Sequence, residues 1–284
     1  MRIPQATRYL IQGMCPGVGG RFQYYGTTVY FPRGSTTFQR ICEYGAYEPE
    51  TITWLCRLAR TGKVSIDVGA SIGLTSVPVL RSVPDAYVLS FEPSPSALPY
   101  LERTWRESDF RARWEIVAKA ASNSVGSAEF NLAASSDGTF DGLRDTKRDE
   151  HKRQVTVMQT TVDTEWERLG RPGVSCIKID VEGAESRVLD GARDLIECEK
   201  PYLILEWNRQ NIAPYEIDIG WLVDYATCHE YGLLALPDLT PIPDVSTLEC
   251  QMLHTELFLL APGSSETRIK DQTYAAKNSP QFVF

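Results

Sequence analysis

Asp67, Gly69, Gly73 and Glu92 are the residues of this chain whose types and order speak first of chemistry. The first three stand in Val64-Ser-Ile-Asp-Val-Gly-Ala-Ser-Ile-Gly73, and the fourth closes Tyr87-Val-Leu-Ser-Phe-Glu92. A β-prone run reaches an aspartate and then turns through two glycines into a helical pattern. Glycine accepts φ > 0 and, having no Cβ, lets the backbone approach a ligand. Amides at the start of the next helix then face that ligand. Glu92 ends the following strand, where an α/β nucleoside site places an acid to accept hydrogen bonds from both ribose hydroxyls. The chemistry implied is nucleoside binding at the carboxyl edge of a parallel sheet.

Glycine spacing separates two kinds of nucleoside. A dinucleotide loop reads G-x-G-x-x-G, so that its amides cradle a pyrophosphate. Here the order is D-x-G-x-x-x-G, which resembles the first motif of class I methyltransferases that use S-adenosylmethionine (SAM). SAM carries an amino group, a carboxylate and a sulfonium but no phosphate, and an acid at the strand end suits it better than a phosphate cradle. A nucleotide-dependent oxidoreductase and a SAM-fold protein that binds without turnover are the alternatives.

The elements that must position these residues follow from pattern. Gln23 to Phe31 reads as a hairpin around Gly26, and Glu48 to Ala59 as an amphipathic helix stopped by Gly62. Leu74 to Arg81 should be the first helix on the sheet, short or distorted because Pro78 removes a helical hydrogen bond. Leu98 to Glu107 is the next helix, Trp114 to Ala118 a third strand, and Ala120 to Asn123 its exit, where Ala121 and Ser122 fit a flat adenine. Ser127 to Leu132 and Gln154 to Thr161 alternate like strands. The polar stretch Ser135 to Arg153 between them reads as a surface loop rather than a lid. Ser175 to Asp180 is a fourth strand, Ser186 to Cys198 a helix, and Lys200 to Asn208 a fifth strand. Ile219 to Glu230 is a helix, Leu233 to Leu236 and Glu256 to Leu260 an antiparallel pair, and 264–284 a polar tail. The expected fold class is α/β, a doubly wound, mostly parallel seven-stranded sheet of Rossmann-like type with an N-terminal extension. Residues 1–60 form that extension, 61–263 the core and 264–284 the tail.

At 284 residues, 43% of them hydrophobic and 23% charged, the chain can bury one large core. A formal net charge of −8 repels phosphate backbones, which argues against a nucleic-acid substrate, and the basic residues from Arg144 to Arg153 are interleaved with acids. Seven cysteines without a C-x-x-C pair, no apolar leader in Met1 to Gly20 and no run of membrane-spanning length point to a cytoplasmic protein with reduced thiols. A homo-oligomer stays open.

The most specific stretch is Ile177-Lys-Ile-Asp-Val-Glu-Gly-Ala-Glu185, followed by Val188-Leu-Asp-Gly-Ala192 and Lys200-Pro to Leu205-Glu206. With Gly45-Ala-Tyr-Glu48, Ile66 to Ala70, Phe91-Glu-Pro93 and Thr160-Thr-Val-Asp163, it resembles the FkbM family of SAM-dependent methyltransferases over about residues 40–260. Ser71 stands where that family usually has asparagine. The resemblance implies a class I methyltransferase fold, SAM as cofactor with S-adenosylhomocysteine (SAH) as product, and methylation of a hydroxyl on a sugar, glycoconjugate or other small secondary-metabolite molecule. The implied cofactor residues are Glu48, Asp67, Gly69, Ala70, Ser71, Gly73, Glu92, Ala121, Ser122 and Asp180.

Methyl transfer is an in-line displacement served mainly by positioning, although an alcohol profits from a base or a metal. Asp180, leaving the sheet at its carboxyl edge, is the first candidate for catalysis, with Glu182, Glu206 and His254 as further ones. A hard divalent cation could be held by Asp180, Glu206 and Asn208, which all offer oxygen. Glu185 reads as a helix-start residue and His229 as a helix-end one.

Overall fold

The computed structural model describes residues 20–133, 137–147 and 153–263. The polar tail, the first nineteen residues and His151 lie outside the described residues. No helix among the described residues is long and apolar enough to cross a membrane.

Chain entry is an antiparallel hairpin of β1 (Gly20–Tyr24) and β2 (Thr27–Phe31). Tyr25 and Gly26 both take positive φ at its tip, the tight-turn geometry that matches strand twist. Helices α1 (Thr36–Tyr44) and α2 (Pro49–Leu58) follow. Ser35 caps α1 by accepting from the Phe38 amide, and Gly45 ends it in the left-handed region. The hairpin is fastened to the rest by Phe31 stacked on Phe38 at 4.0 Å and by the Tyr30 amide, which donates to Thr104 Oγ1 at 3.0 Å. Arg81 adds a hydrogen bond from Nε to the Tyr25 carbonyl at 2.9 Å.

The main sheet begins with β3 (Val64–Val68), α3 (Ser76–Ser82), β4 (Tyr87–Phe91), α4 (Leu98–Glu107) and β5 (Trp114–Val117). Helix α3 starts only at Ser76, which brings Pro78 into the first turn, where its missing N–H costs nothing. After β9 (Val174–Ile179) come α6 (Glu185–Asp190), α7 (Arg193–Glu199) and β10 (Tyr202–Glu206). One helix was expected over 186–198, but it breaks at Gly191, where a Cβ would lie 2.0 Å from the Ser122 carbonyl. The chain closes with α8 (Arg209–Ile212), a 3₁₀ turn (Ala213–Tyr215), α9 (Trp221–Cys228), β11 (Tyr231–Ala235), β12 (Thr240–Pro241), α10 (Val245–Gln251) and β13 (Leu257–Pro262).

Strand order is β12-β11-β13-β10-β9-β3-β4-β5. Strands β5, β4, β3, β9 and β10 are parallel, and β13 inserts antiparallel between β10 and β11. The sheet thus has eight strands where seven were expected, the extra one being the two-residue return of β12 on β11. Helices cover both faces, so β3 and β9 are buried along their whole length. A separate sheet joins β6 (Ala120–Ala121), β7 (Gly126–Leu132) and β8 (Arg153–Thr160), with α5 (Val162–Arg168) after it. The order of the parallel strands reverses between β3 and β9, and their carboxyl ends open a crevice there, the place where such sheets bind ligands.

Candidate functional site

Every functional acid on the central sheet is placed by strand register. Asp67 of β3 pairs with Lys178 of β9, and Ile204 of β10 flanks Lys178 on the other side. Alternation then puts Asp180, just past β9, and Glu206, the last residue of β10, on the same face. The N-terminus of α2 packs over that face and supplies Glu48, which lies in the left-handed region at φ +34.

Asp67 is buried beneath the loop and turned inward. Its Oδ2 accepts from Thr75 Oγ1 at 2.6 Å and from Ser76 Oγ, so it holds the loop that follows β3. Gly69 meets its neighbour closely, since a Cβ there would stand 1.9 Å from the Asp180 carbonyl. Gly73 serves packing instead, facing the Trp114 and Leu101 side chains. Ala70 is buried, and its amide, like that of Gly69, donates to the Phe91 carbonyl at 3.0 Å.

Beyond this loop lies a cavity walled by Val68, Gly69, Ser71, Glu92 and Pro93, with Ala120 and Ala121 at its far side. Glu92 is buried, and its two oxygens accept the amides of Ser71 and Ser94, each at 2.7 Å. Burial pushes its carboxyl up to about 7 against the pull of those two amides. Ser122 is buried beside Ala121, and its amide donates to the Thr160 carbonyl at 2.9 Å.

The stretch expected to be a surface loop is a wall of this cavity over its described part. Gly138, Thr139, Phe140, Asp141 and Leu143 line it, with Phe130 of β7. Asp137 anchors that wall: its carboxylate takes Ser35 Oγ at 2.6 Å, the Thr37 amide at 2.8 Å and Thr139 Oγ1 at 2.8 Å. Burial raises this carboxyl, but the three donors win and hold it below the usual aspartate range. The Asp137 carbonyl also accepts from Ser71 Oγ at 3.3 Å, which ties the wall to the glycine loop. Asp141 accepts from Ser94 Oγ and from the Ala133 amide. No residue type between 135 and 147 signals this role, because the partners lie a hundred positions upstream. Thr37, Arg40 and Tyr47, which also line the cavity, are equally silent in the sequence.

A second cleft adjoins the first. Glu50, Thr51, Ile204, Leu236, Pro237, His254, Glu256 and Leu257 line it, and it shares Arg40, Glu48, Asp180 and Glu206 with the cavity. His254 therefore stands in this cleft, exposed, with its amide donating to the Gln251 carbonyl. At the junction Asp180 and Glu206 are hydrogen-bonded to each other. Burial, and then the Asp180 charge, push the Glu206 carboxyl well above the carboxylate range, and the two carboxyls titrate as a pair. Glu48 is raised by burial and by Asp180, with Lys178 pulling the other way.

Oxygens of Asp180, Glu182 and Glu206 lie within 4.8 Å of one another, so Glu182 joins two of the expected cation ligands. Asn208 caps α8 through the Asn211 amide, at 2.8 Å, while its Nδ2 donates to Glu206 Oε1 at 3.3 Å. Glu182 lines the cavity from a left-handed turn at φ +55. Glu185 opens α6 as expected, its Oε1 accepting the Val181 and Gly183 amides at 3.1 Å.

Comparison with known proteins agrees with this geometry. Residues 67–219, more than half of the chain, match the methyltransferase FkbM domain. Methyltransferase sdnD of Sordaria araneosa is 26% identical over 176 residues, 52% of this chain and 68% of that protein. Among solved structures, methyltransferase FkbM of Methylobacillus flagellatus has 16% identity and a TM-score of 0.46. That likeness covers 76% of this chain but only 49% of the other, so the chain spans about half its length. An O-methyltransferase of Bacillus cereus in complex with SAH has 10% identity and a TM-score of 0.42, over 74% of this chain and 77% of its own. The sheet order is that of the class I methyltransferase fold, and by the domain match this chain belongs to the FkbM methyltransferase family.

Proposed function

We propose that the chain is a SAM-dependent O-methyltransferase acting on a hydroxyl of a small molecule or glycoconjugate. One observation carries the reading: the nucleoside-type cavity and the second cleft meet at Asp180, Glu206 and Glu48. A methyl group held in the first can pass in line to an oxygen held in the second.

The residues present fit SAM. Glu92 offers a buried carboxylate at the strand end for ribose hydroxyls, and Ala120 and Ala121 leave room for a flat base. When bound, SAM supplies an electrophilic methyl on a sulfonium. Phe130, Phe140 and Leu143 give the cavity an apolar stretch of wall. In the cleft, Ile204, Leu236 and Leu257 form an apolar floor, with polar groups around it that suit a partly hydroxylated acceptor. With SAM bound there, the sulfonium would supply the methyl and leave as a neutral thioether, and the Asp180 carboxylate would take the hydroxyl proton of the acceptor. The hydrogen bond between Glu206 and Asp180 keeps Asp180 oriented. Asp180, Glu182 and Glu206 could also hold a hard cation, which would act by lowering the hydroxyl's pKa.

Titration calorimetry with SAM, SAH and NADH on wild type and Glu92→Ala tests the cofactor. Saturable binding of SAM and SAH, weakened in the variant, is expected, and binding of NADH alone defeats the reading. Asp180→Ala separates turnover from mere binding: SAM affinity should survive while transfer to a hydroxyl acceptor is lost.

A further inference from the structure

Lys178 is the only buried lysine or arginine among the described residues. Strand pairing sets it opposite Asp67, one alternation before Asp180. Its Nζ donates to the Gly69 carbonyl at 3.0 Å and stands 3.3 Å from Asp180 Oδ2 and 3.7 Å from Asp67 Oδ1. That Asp67 oxygen has no hydrogen-bond donor, so the ammonium is what faces it. One carbonyl and two carboxylates around Nζ, with no donor aimed at it, are the surroundings of an ammonium. Taking an ammonium out of water is costly, and a methionine would fill similar space, so packing does not account for a charge here.

The charge matters because of what the methyl donor loses on reaction. A sulfonium disperses its positive charge as the carbon–sulfur bond breaks, and the product thioether is neutral. Uncompensated carboxylates at the junction would favour the charged ground state over the transition state and slow transfer. They would also hold SAM in preference to SAH.

We propose that Lys178 is a specificity-determining residue for the cofactor, its ammonium offsetting the carboxylates at the junction and thereby setting the preference between SAM and SAH. The inference rests on the SAM reading above. Calorimetry with SAM and SAH on wild type, Lys178→Met, Asp67→Asn and the double variant tests it. Lys178→Met should raise the affinity for SAM relative to SAH by about 3- to 10-fold, whatever it does to either alone. The double variant removes one charge of each sign and should return that ratio to within about two-fold of wild type. If Lys178→Met does not fold, Asp67→Asn against the double variant reads the same quantity, and the ratio must again rise when the ammonium goes. An unchanged or lower ratio makes Lys178 a structural residue and overturns the proposal. Wild type that binds neither ligand overturns the SAM reading itself, and this inference with it.

Discussion

In the cavity beyond the glycine loop Glu92 has both carboxylate oxygens fixed by backbone amides, while in the adjoining cleft Glu50, His254 and Glu256 stand exposed. The cavity is built from the ends of parallel strands and the tight turns after them. The cleft shares the ends of β9 and β10 but is completed by α1, the start of α2, the turn after β11 and the segment that leads into β13. Where a side chain is held by turns whose backbone has little freedom, few residue types serve, and glycines mark the places. Where side chains only rim an opening, many types serve. Binding a common cofactor needs the first arrangement, and fitting a particular acceptor needs the second.

Gly69→Ala breaks the cavity side hardest. The added Cβ would lie 1.9 Å from the Asp180 carbonyl, and φ is +80, so strand ends β3 and β9 must separate. Strain and overpacking together should cost on the order of 2–6 kcal/mol. Thermal unfolding should show this loss, with SAH binding abolished. His254→Ala is the matching change in the cleft. It should leave both the melting temperature and SAH affinity unchanged and raise KM for the acceptor.

That contrast also explains how far the sequence could be read. Asp67, Gly69, Glu92, Asp180 and Glu206 were legible because each sits at a strand end that patterning locates, and strand register then brings them together. The inward turn of Asp67 was not, since only its contacts with Thr75 and Ser76 decide it. Helix breaks such as the one at Gly191 depend on a distant carbonyl, that of Ser122, which no local window contains. The wall at 137–143 was read as a surface loop for the same reason: its composition is polar and small, and what makes it a wall is Asp137 on Ser35 and Thr37.

Next in size is a pH effect beneath the junction. Burial pushes the Glu185 carboxyl up to about 7, against the amides that it accepts, and one of its oxygens has no donor. Its folded pKa therefore lies above the unfolded value near 4.5. The folded state binds this proton more tightly, so ionisation costs stability as pH rises from about 4.5 to about 7 and remains a full cost above that. Glu185→Gln keeps the accepting oxygen and removes the charge. Its stability relative to wild type should be highest at pH 8, by up to roughly 3 kcal/mol, and should shrink towards pH 5. Denaturant unfolding at both values checks the sign.

Glu92→Ala should weaken SAH by about 100-fold, the worth of two hydrogen bonds to a charged acceptor, and lower the melting temperature because the Ser71 and Ser94 amides lose their acceptor. For the wild type, SAH affinity should fall as pH drops through about 7, because a protonated Glu92 loses acceptor capacity. Moving an acid with similar burial at Glu185 should not alter that pH dependence, which distinguishes a ligand contact from a merely buried carboxyl.

Asp137→Ala is the mildest change and the one that sharpens the comparison most, because this residue belongs to the cavity by position and to a loop by sequence. Its carboxylate joins the wall to the start of α1, and its carbonyl joins the wall to Ser71. Removing the side chain leaves the carbonyl contact and the glycine loop intact, so the cofactor's floor stays as it was. Only the covering wall is released from α1. SAH should then dissociate faster with an association rate close to wild type, for a net loss of about 10-fold in affinity, which is the worth of one or two charge-assisted hydrogen bonds. Stopped-flow tryptophan fluorescence separates the two rates. If association slows instead while dissociation is unchanged, Asp137 shapes the entrance rather than holding the wall, and the cavity owes its closure to Asp141 on Ser94.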